Sequence, residues 1–334
     1  MAVGVACLLA ACLAGVLIGP VALPPGAVGR DLLDALPFVD LSSGLSPAES
    51  AILWELRLPR VVLGGVVGAV LALSGAAYQG VFRNPLADPY LLGVAAGAGL
   101  GVTLAVAYGP GLAGWSIDLR PVAAFAGALL AVAATYVLGR STGRTRTAAT
   151  LILAGVAMAS FLTALQTFVQ QQESETLRQV YTWILGTLGT AGWDQVLLIL
   201  PYAVVAVAAI LVHRRHLDVL SVGDEEADSL GVRSTRVRLI VVAAASMGTA
   251  AAVAVSGLIG FVGIIVPHTV RLVVGSSYRL VLPLSVAFGA AFLILSDLLG
   301  RTVVAPAEIP IGVVTAFFGA PFFLVILRRS RRLG

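Results

Sequence analysis

Apolar residues in this chain gather into long runs, at residues 1–22, 60–80, 90–108, 121–138, 148–169, 195–212, 237–257, 258–274, 280–299 and 310–327. Most approach about 20 residues, the length at which a helix spans roughly 30 Å of hydrocarbon. A large buried core would not require one length to recur so often. The pattern predicts an all-α, polytopic integral membrane protein of about ten transmembrane helices, built as a single domain over residues 1–334. One pair of runs is irregular. From Leu239 to Val266 there is no charge, a stretch longer than one span and shorter than two. Ser256-Gly257 is the natural break, and the eighth helix is expected to be short. Gly64 and Gly68, and likewise Gly93, Gly97 and Gly101, recur at every fourth position, which predicts faces where helix backbones approach closely.

Two hydrophilic stretches between the runs are long enough to hold structure of their own. Residues 23–56 carry Asp31, Asp34, Asp40, Glu49 and Glu55. Within residues 213–238, Leu220, Val222, Ala227, Leu230 and Val232 are interleaved with acids, the pattern of a short helix lying on a membrane face.

Composition agrees with the hydropathy. Hydrophobic residues make up 59% of the chain and charged ones 11%, against about 25% charged in a soluble domain. All 21 basic residues are arginine, which excludes both a Walker A lysine on a nucleotide phosphate and a Schiff-base lysine. With ten spans, the loops and tail on one side hold Arg83, Arg140, Arg144, Arg146, Arg214, Arg215, Arg233, Arg236, Arg238, Arg271, Arg279, Arg328, Arg329, Arg331 and Arg332. The other side holds Arg30, Arg57, Arg60, Arg120, Arg178 and Arg301. The richer side is expected to be cytoplasmic, with both termini there. A net charge of +4 suits such loops and gives no argument for nucleic acid.

The first run contains Leu9-Ala10-Ala11-Cys12, which loosely resembles a lipoprotein cleavage site. No basic residue precedes it and the apolar run continues to Leu23, so a first transmembrane helix is expected, with room for a start further upstream. Cys7, Cys12, His213, His216 and His268 form no set with usable metal-ligand spacing. No metal or cofactor is expected on this chain.

Ionisable side chains are nearly missing from the middle of the runs; Asp297, His268 and Arg271 fall near their ends. Proton- or sodium-coupled carriers place carboxylates or broken helices at mid-depth, and a channel needs a filter or charged ring. No nucleophile–base pair suggests an enzyme. In the fifth run, Ser160, Thr163, Thr167 and Gln170 recur at helical spacing, with Gln166 beside them. They could line a path for a polar solute or hydrogen-bond between helices. A secondary transporter acting without an ATPase is the alternative to a solute path energised by partner subunits.

The chain resembles the iron-chelate (siderophore or haem) and cobalamin permease family of ABC importers over nearly its whole length. The likeness rests on Arg57-Leu58-Pro59-Arg60, on Ser74-Gly75 and Gln79, and on Arg83-Asn84-Pro85-Leu86-Ala87-Asp88-Pro89. It continues through Leu153-Ala154-Gly155, Leu220-Ser221-Val222-Gly223-Asp224-Glu225-Glu226-Ala227 and Leu230-Gly231-Val232. The C-terminal third carries most: Ser256-Gly257-Leu258-Ile259-Gly260-Phe261-Val262-Gly263, Val266-Pro267-His268, Arg271, Asp297, Arg301, Ile309-Pro310-Ile311-Gly312 and Gly319-Ala320-Pro321.

This resemblance implies a type II ABC importer permease in the bacterial cytoplasmic membrane, moving an iron-siderophore, haem or cobalamin. It implies a second permease subunit, identical or a close paralogue, with the path between the two. Two separate ATP-binding subunits that use ATP and Mg, and an extracytoplasmic solute-binding protein, complete the assembly. Arg57, Arg60 and Arg301 match positions that meet acids of the binding protein; lipid headgroups or helix-end capping are the alternative. Leu220, Gly223, Asp224, Glu225, Ala227, Leu230 and Gly231 match the segment seated in the ATP-binding subunit, where a solvated loop is the bland reading. Asn84 and Leu86 match a cytoplasmic gate, although Pro85 and Pro89 also make a rigid turn there. Residues 139–147 match no gate pattern.

Overall fold

The computed structural model describes residues 1–37, 41, 44–109, 118–141, 148–173 and 177–330. Asp40, Arg144, Arg146, Arg331 and Arg332 lie outside them. Among the described residues the regular elements are all helical. Helix α1 (Ala2–Leu17) is followed by α2 (Pro25–Asp34) and α3 (Pro47–Ala51); a π-helical turn at Ile52–Arg57 joins α3 to α4 (Leu58–Phe82). Next come α5 (Val94–Tyr108), α6 (Leu119–Ser141), α7 (Ala148–Gln172), α8 (Leu177–Ile184) and α9 (Trp193–Val212). Two short helices, α10 (Arg214–Leu220) and α11 (Asp224–Ser229), precede α12 (Ser234–Ser256), α13 (Val262–Val274), α14 (Tyr278–Thr302) and α15 (Ile311–Ser330).

Six of these helices are long and apolar enough to cross a membrane, and α1, α5, α13 and α15 are shorter apolar helices. Each of the ten falls on one of the ten apolar runs. The first run is the exception in length: α1 stops at Leu17 although apolar residues continue to Leu23. Gly19-Pro20 and Pro24-Pro25 account for this, because proline lacks the N–H donor and turns the residue before it away from helix. Helices α2, α3 and α8 lie between the apolar runs, where hydropathy predicts only loops. At α3 the signal was present: Ser46 and Glu49 form a capping box, with the Ser46 hydroxyl accepting from the Glu49 amide at 3.3 Å and the Glu49 carboxylate from the Ser46 amide at 2.8 Å.

Helix α4 is the centre of the bundle, packed chiefly on α14, α12, α13 and α9. Its most apolar stretch is 78% buried, against 11% for α7. Where α4 crosses α14, Gly68 faces Gly289, and a methyl on either would overlap the other's carbonyl oxygen. Gly97 and Gly127 make the same contact between α5 and α6, with Gly101 against the Ala123 carbonyl. Gly64 instead faces Leu188, and Gly93 takes a left-handed φ of 82° as the residue before α5. The fourfold glycine spacing thus mixes true crossings with a helix cap.

Gly68→Ala is expected to destabilise the bundle by about 1–3 kcal/mol, the usual cost of overpacking. A methyl on Gly65 meets nothing closer than 3.4 Å, at the Ile294 side chain. Gly65→Ala should therefore be neutral or mildly stabilising, since alanine is the better helix former. Paired unfolding curves in one detergent would check this, and equal losses for both variants would contradict the crossing.

Candidate functional site

The backbone leaves helical geometry between α12 and α13. Gly257, with φ of 70°, ends α12, and Phe261 takes the left-handed φ of 70° before α13 begins. The expected break at Ser256-Gly257 is thus a five-residue segment, 257–261, and the short eighth helix starts at Val262. Its polar groups are met by side chains and loops. The Tyr90 hydroxyl accepts from the Ile259 amide at 3.1 Å and donates to the Ile259 carbonyl at 2.9 Å. The Thr187 amide donates to the Ser256 carbonyl at 2.9 Å. Beside the segment lies an open, mostly apolar cleft of about 540 Å³, walled by Leu185, Leu258, Phe261, Gly312, Val313 and Phe317. Irregular backbone at membrane depth persists only where protein covers it or where it lines a cavity. The broken segment is therefore a candidate wall of a solute path.

Along α7, Ser160, Thr163 and Thr167 are exposed and Gln170 is half-buried. Gln166 is different: it is buried, and its side-chain amide lies against Gly99 of α5. The polar stripe thus splits, with Gln166 turned into the bundle and the other four on the open side. That open side also carries Leu153, Val156, Phe161 and Phe168, all more than half exposed.

At one end of the bundle, α10 and α11 form a bent pair pinned to the membrane helices. Leu217, Leu220 and Ala227 are buried in the main core. Asp218 accepts from the Tyr278 amide at 2.6 Å and the Ser277 hydroxyl at 3.0 Å, tying α10 to the start of α14. Asp224 accepts from Arg238 at 2.8 Å and lies 3.8 Å from Arg83. Asp228 accepts from the Ser234 amide at 3.1 Å, where α12 begins. Gly223 is buried, whereas Gly231, with φ of 80°, is exposed. Facing away from the bundle are Val222 and Leu230, at 68% and 69% exposure, with Glu225 and Glu226 between them.

The nearby turn after α4 is shaped by its own polar side chains. Asn84 accepts from the Leu86 amide at 2.9 Å, and Asp88 from the Tyr90 amide at 2.7 Å. Burial pushes the Asp88 carboxyl up to about 6, against the hydrogen bond from Tyr90. Asn84 and Leu86 are both half-buried, so Asn84 spends its side-chain oxygen on the turn itself.

The opposite end gathers Arg57, Arg60 and Arg301, two of them turned into the chain. Arg57, 4% exposed, donates to the carbonyls of Val16 at 2.9 Å, Leu17 at 3.2 Å, and Val21. Arg301, also 4% exposed, donates to the Gly15 carbonyl and lies 3.6 Å from Asp297. The last carbonyls of a helix have no partner within it and carry partial negative charge. Arg57 and Arg301 supply that partner for α1, which is the helix-end capping foreseen as the alternative to docking. Arg60 donates to both oxygens of Asp297 at 2.8–3.1 Å and to Glu308 at 2.8 and 3.0 Å. Glu308, 44% exposed, is held below the usual carboxylate range by the Arg60 hydrogen bonds, which outweigh its partial burial.

Sequence reading missed Asp218, Tyr278 and Glu308 as partners. Asp218 lies among arginines and histidines, and Glu308 just ahead of Ile309-Pro310; neither setting announces a contact made across about 60 or 250 residues of chain.

Comparison with known proteins places these features in context. Residues 7–329 match the model of the FecCD transport family. The chain is 44% identical over 288 residues to the cobalamin import system permease protein BtuC of Halobacterium salinarum, covering 86% of this chain and 76% of that one. It is 38% identical to the Fe(3+)-citrate import system permease protein YfmD of Bacillus subtilis, covering 93% and 91%. The hemin transport system permease protein HmuU of Yersinia pestis is 42% identical, covering 83% of each. A solved structure of a metal-chelate type ABC transporter in an inward-facing conformation superposes with a TM-score of 0.83 at 29% identity, covering 98% of this chain and 97% of that one.

Proposed function

The chain belongs to the FecCD transport family, and from that premise we propose that it is the permease through which an iron-siderophore or a related metal chelate, haem or cobalamin, enters the cell. It is a multi-pass membrane protein of the ABC importer class. Energy comes from two ATP-binding subunits on the cytoplasmic side, where both termini lie. The observation that carries this reading is the α10–α11 pair: fixed to α4, α12 and α14 by Asp218 and Asp224, yet presenting Val222 and Leu230 outward. A solvated loop would not be anchored so firmly while leaving its apolar side chains in water.

A second permease subunit supplies the other wall of the path. Support comes from α7, whose apolar stretch is only 11% buried yet carries Ser160, Thr163 and Thr167 on its open face. The Thr167 hydroxyl donates to the Thr163 carbonyl at 2.9 Å within α7, which leaves its acceptor side, like the exposed Ser160 and Thr163 side chains, available to a subunit contact or a polar solute. A binding protein meets the end bearing Arg60 and Glu308. Of the three arginines, Arg60 is the one open to an outside carboxylate, by exchange for Glu308; Arg57 and Arg301 brace α1 beneath it. The Asn84–Leu86 turn is the cytoplasmic gate of this reading, held in shape by the Asn84 side chain.

Proteoliposomes containing the chain and its ATP-binding and solute-binding partners test the proposal. ATP-dependent uptake of radiolabelled ferric citrate, haemin or cyanocobalamin is the expected result. Uptake of the same probes by the chain alone, driven by an ion gradient and indifferent to ATP, would overturn it in favour of a secondary carrier.

A further inference from the structure

A proline inside α13 leaves one carbonyl without its normal partner. Pro267 has no N–H, so the Gly263 carbonyl four residues earlier cannot be closed within the helix. In the structure Gln79 of α4 closes it: the side-chain amide nitrogen donates to the Gly263 carbonyl at 3.0 Å. That nitrogen also reaches the Ala87 carbonyl, in the turn that follows α4, at 3.3 Å. The amide oxygen of Gln79 accepts from Arg271 at 2.5 Å. Gln79 is 2% exposed, so three of its hydrogen-bonding positions are fixed inside the bundle. One arm holds the start of α13, just past the broken segment; a second holds the turn at 84–87; the third holds Arg271 in the last turn of α13.

Arg271 extends the chain of contacts toward α10. Its guanidinium lies 5.5 Å from the centre of the Tyr278 ring, with a nitrogen 3.5 Å from the Tyr278 hydroxyl. Tyr278 is the first residue of α14, and its amide is the donor that Asp218 accepts. The Tyr278 ring also lies 3.0 Å from where a methyl on Gly80 would sit, so it is wedged against α4. From α10 to the start of α13 the contacts are therefore unbroken: Asp218, Tyr278, Arg271, Gln79, then Ala87 and Gly263.

We propose that Gln79, Arg271 and Tyr278 form a polar relay by which movement of the α10–α11 pair is passed to the turn at 84–87 and to the start of α13. They are positioning residues, and none is among the side chains that wall the cleft beside the broken segment. Displacing Asp218 moves the first turn of α14, and Tyr278 takes Arg271 with it. Gln79 cannot follow Arg271 without releasing either Gly263 or Ala87, and a carbonyl released inside a bilayer is costly. The turn and the start of α13 are thereby made to move together. This inference rests on α10–α11 being the contact for the ATP-binding subunit.

The test uses the assembled complex with Cys7→Ala and Cys12→Ala, and a reporter cysteine, Leu86→Cys, labelled with a membrane-impermeant maleimide with and without ATP and vanadate. In the otherwise unaltered relay the labelling rate should change by about fivefold or more on nucleotide trapping, the lower range of ordinary allosteric coupling. Gln79→Met, which removes all three arms, should abolish that change while the ATP-binding subunit still co-purifies. Gln79→Glu, which keeps an acceptor for Arg271 but loses the donor to Ala87 and Gly263, should also abolish it, and serves where the methionine variant does not fold. Asp218→Ala combined with either should add nothing, because members of one relay are non-additive. A nucleotide response that survives in both Gln79 variants overturns the relay. If the ATP-binding subunit fails to bind the unaltered chain, the underlying reading of α10–α11 falls instead.

Discussion

A protein carrying Val222→Asp and Leu230→Asp together is expected to lose its ATP-binding subunit on purification while the membrane bundle stays folded. Both side chains are about two-thirds exposed in the free chain, and burying a valine or leucine contributes roughly 1.5–3 kcal/mol. Losing both contributions weakens the contact by about a hundredfold or more. Two carboxylates added beside Glu225 and Glu226 act in the same direction if the partner surface is apolar or acidic. The bundle should be indifferent, because neither side chain packs in the core. Ala227→Leu makes the contrasting case. Ala227 has no exposed surface and lies in the main core, so enlarging it should lower stability, with partner binding lost only as a consequence. Affinity measured on the purified chain, beside its unfolding midpoint, separates the two variants. Unchanged affinity in the double aspartate variant would place the partner's contact elsewhere.

The contrast between those variants also marks what could be read in the chain and what could not. Hydropathy located all ten apolar helices, six of them long enough to cross a membrane, because the hydrocarbon thickness asks for long uncharged runs that are visible without any partner. The break at Ser256-Gly257 was legible because a glycine interrupts a run too long for one span. Periodicity was less informative for α2, α3 and α8, which are too short to reveal themselves by hydropathy, although Ser46 and Glu49 spelled out a cap at α3. Side-chain roles were harder still. The positive-inside rule counts arginines by side, but Arg57 and Arg301 are distinguished by what they touch, the orphan carbonyls of α1 some 40 and 286 residues away in sequence. Likewise Gln79 means little until Pro267, on another helix, is seen to free a carbonyl beside it. Span lengths are set by the solvent; partners are set by packing.

Asp297→Ala is expected to be among the most destabilising single substitutions in the chain, at about 3–5 kcal/mol, the range for breaking a buried ion pair by removing one partner. Its side chain is 7% exposed, between Arg60 at 14% and Arg301 at 4%. Three arginines, Arg57, Arg60 and Arg301, meet there against two acids, Asp297 and Glu308, and Glu308 is the half-exposed one. Without Asp297, Arg60 keeps only Glu308 of its two carboxylates, while Arg301 keeps the Gly15 carbonyl and loses Asp297, its stronger acidic neighbour, leaving the weaker pull of Glu308. Its Nε already lacks a hydrogen bond, so little is left to offset the buried charge. The sign of the second substitution is the sharper test. Adding Arg301→Met to Asp297→Ala removes the stranded charge, because an apolar side chain of similar length is tolerated where an unpaired ion is not. The double variant should be more stable than Asp297→Ala alone, even though Arg301→Met by itself uncaps α1 and lowers stability. Unfolding free energies in mixed micelles would show that reversal. If the two losses simply add, Asp297 is not neutralising Arg301, and Arg60 alone must account for keeping a carboxylate at this depth.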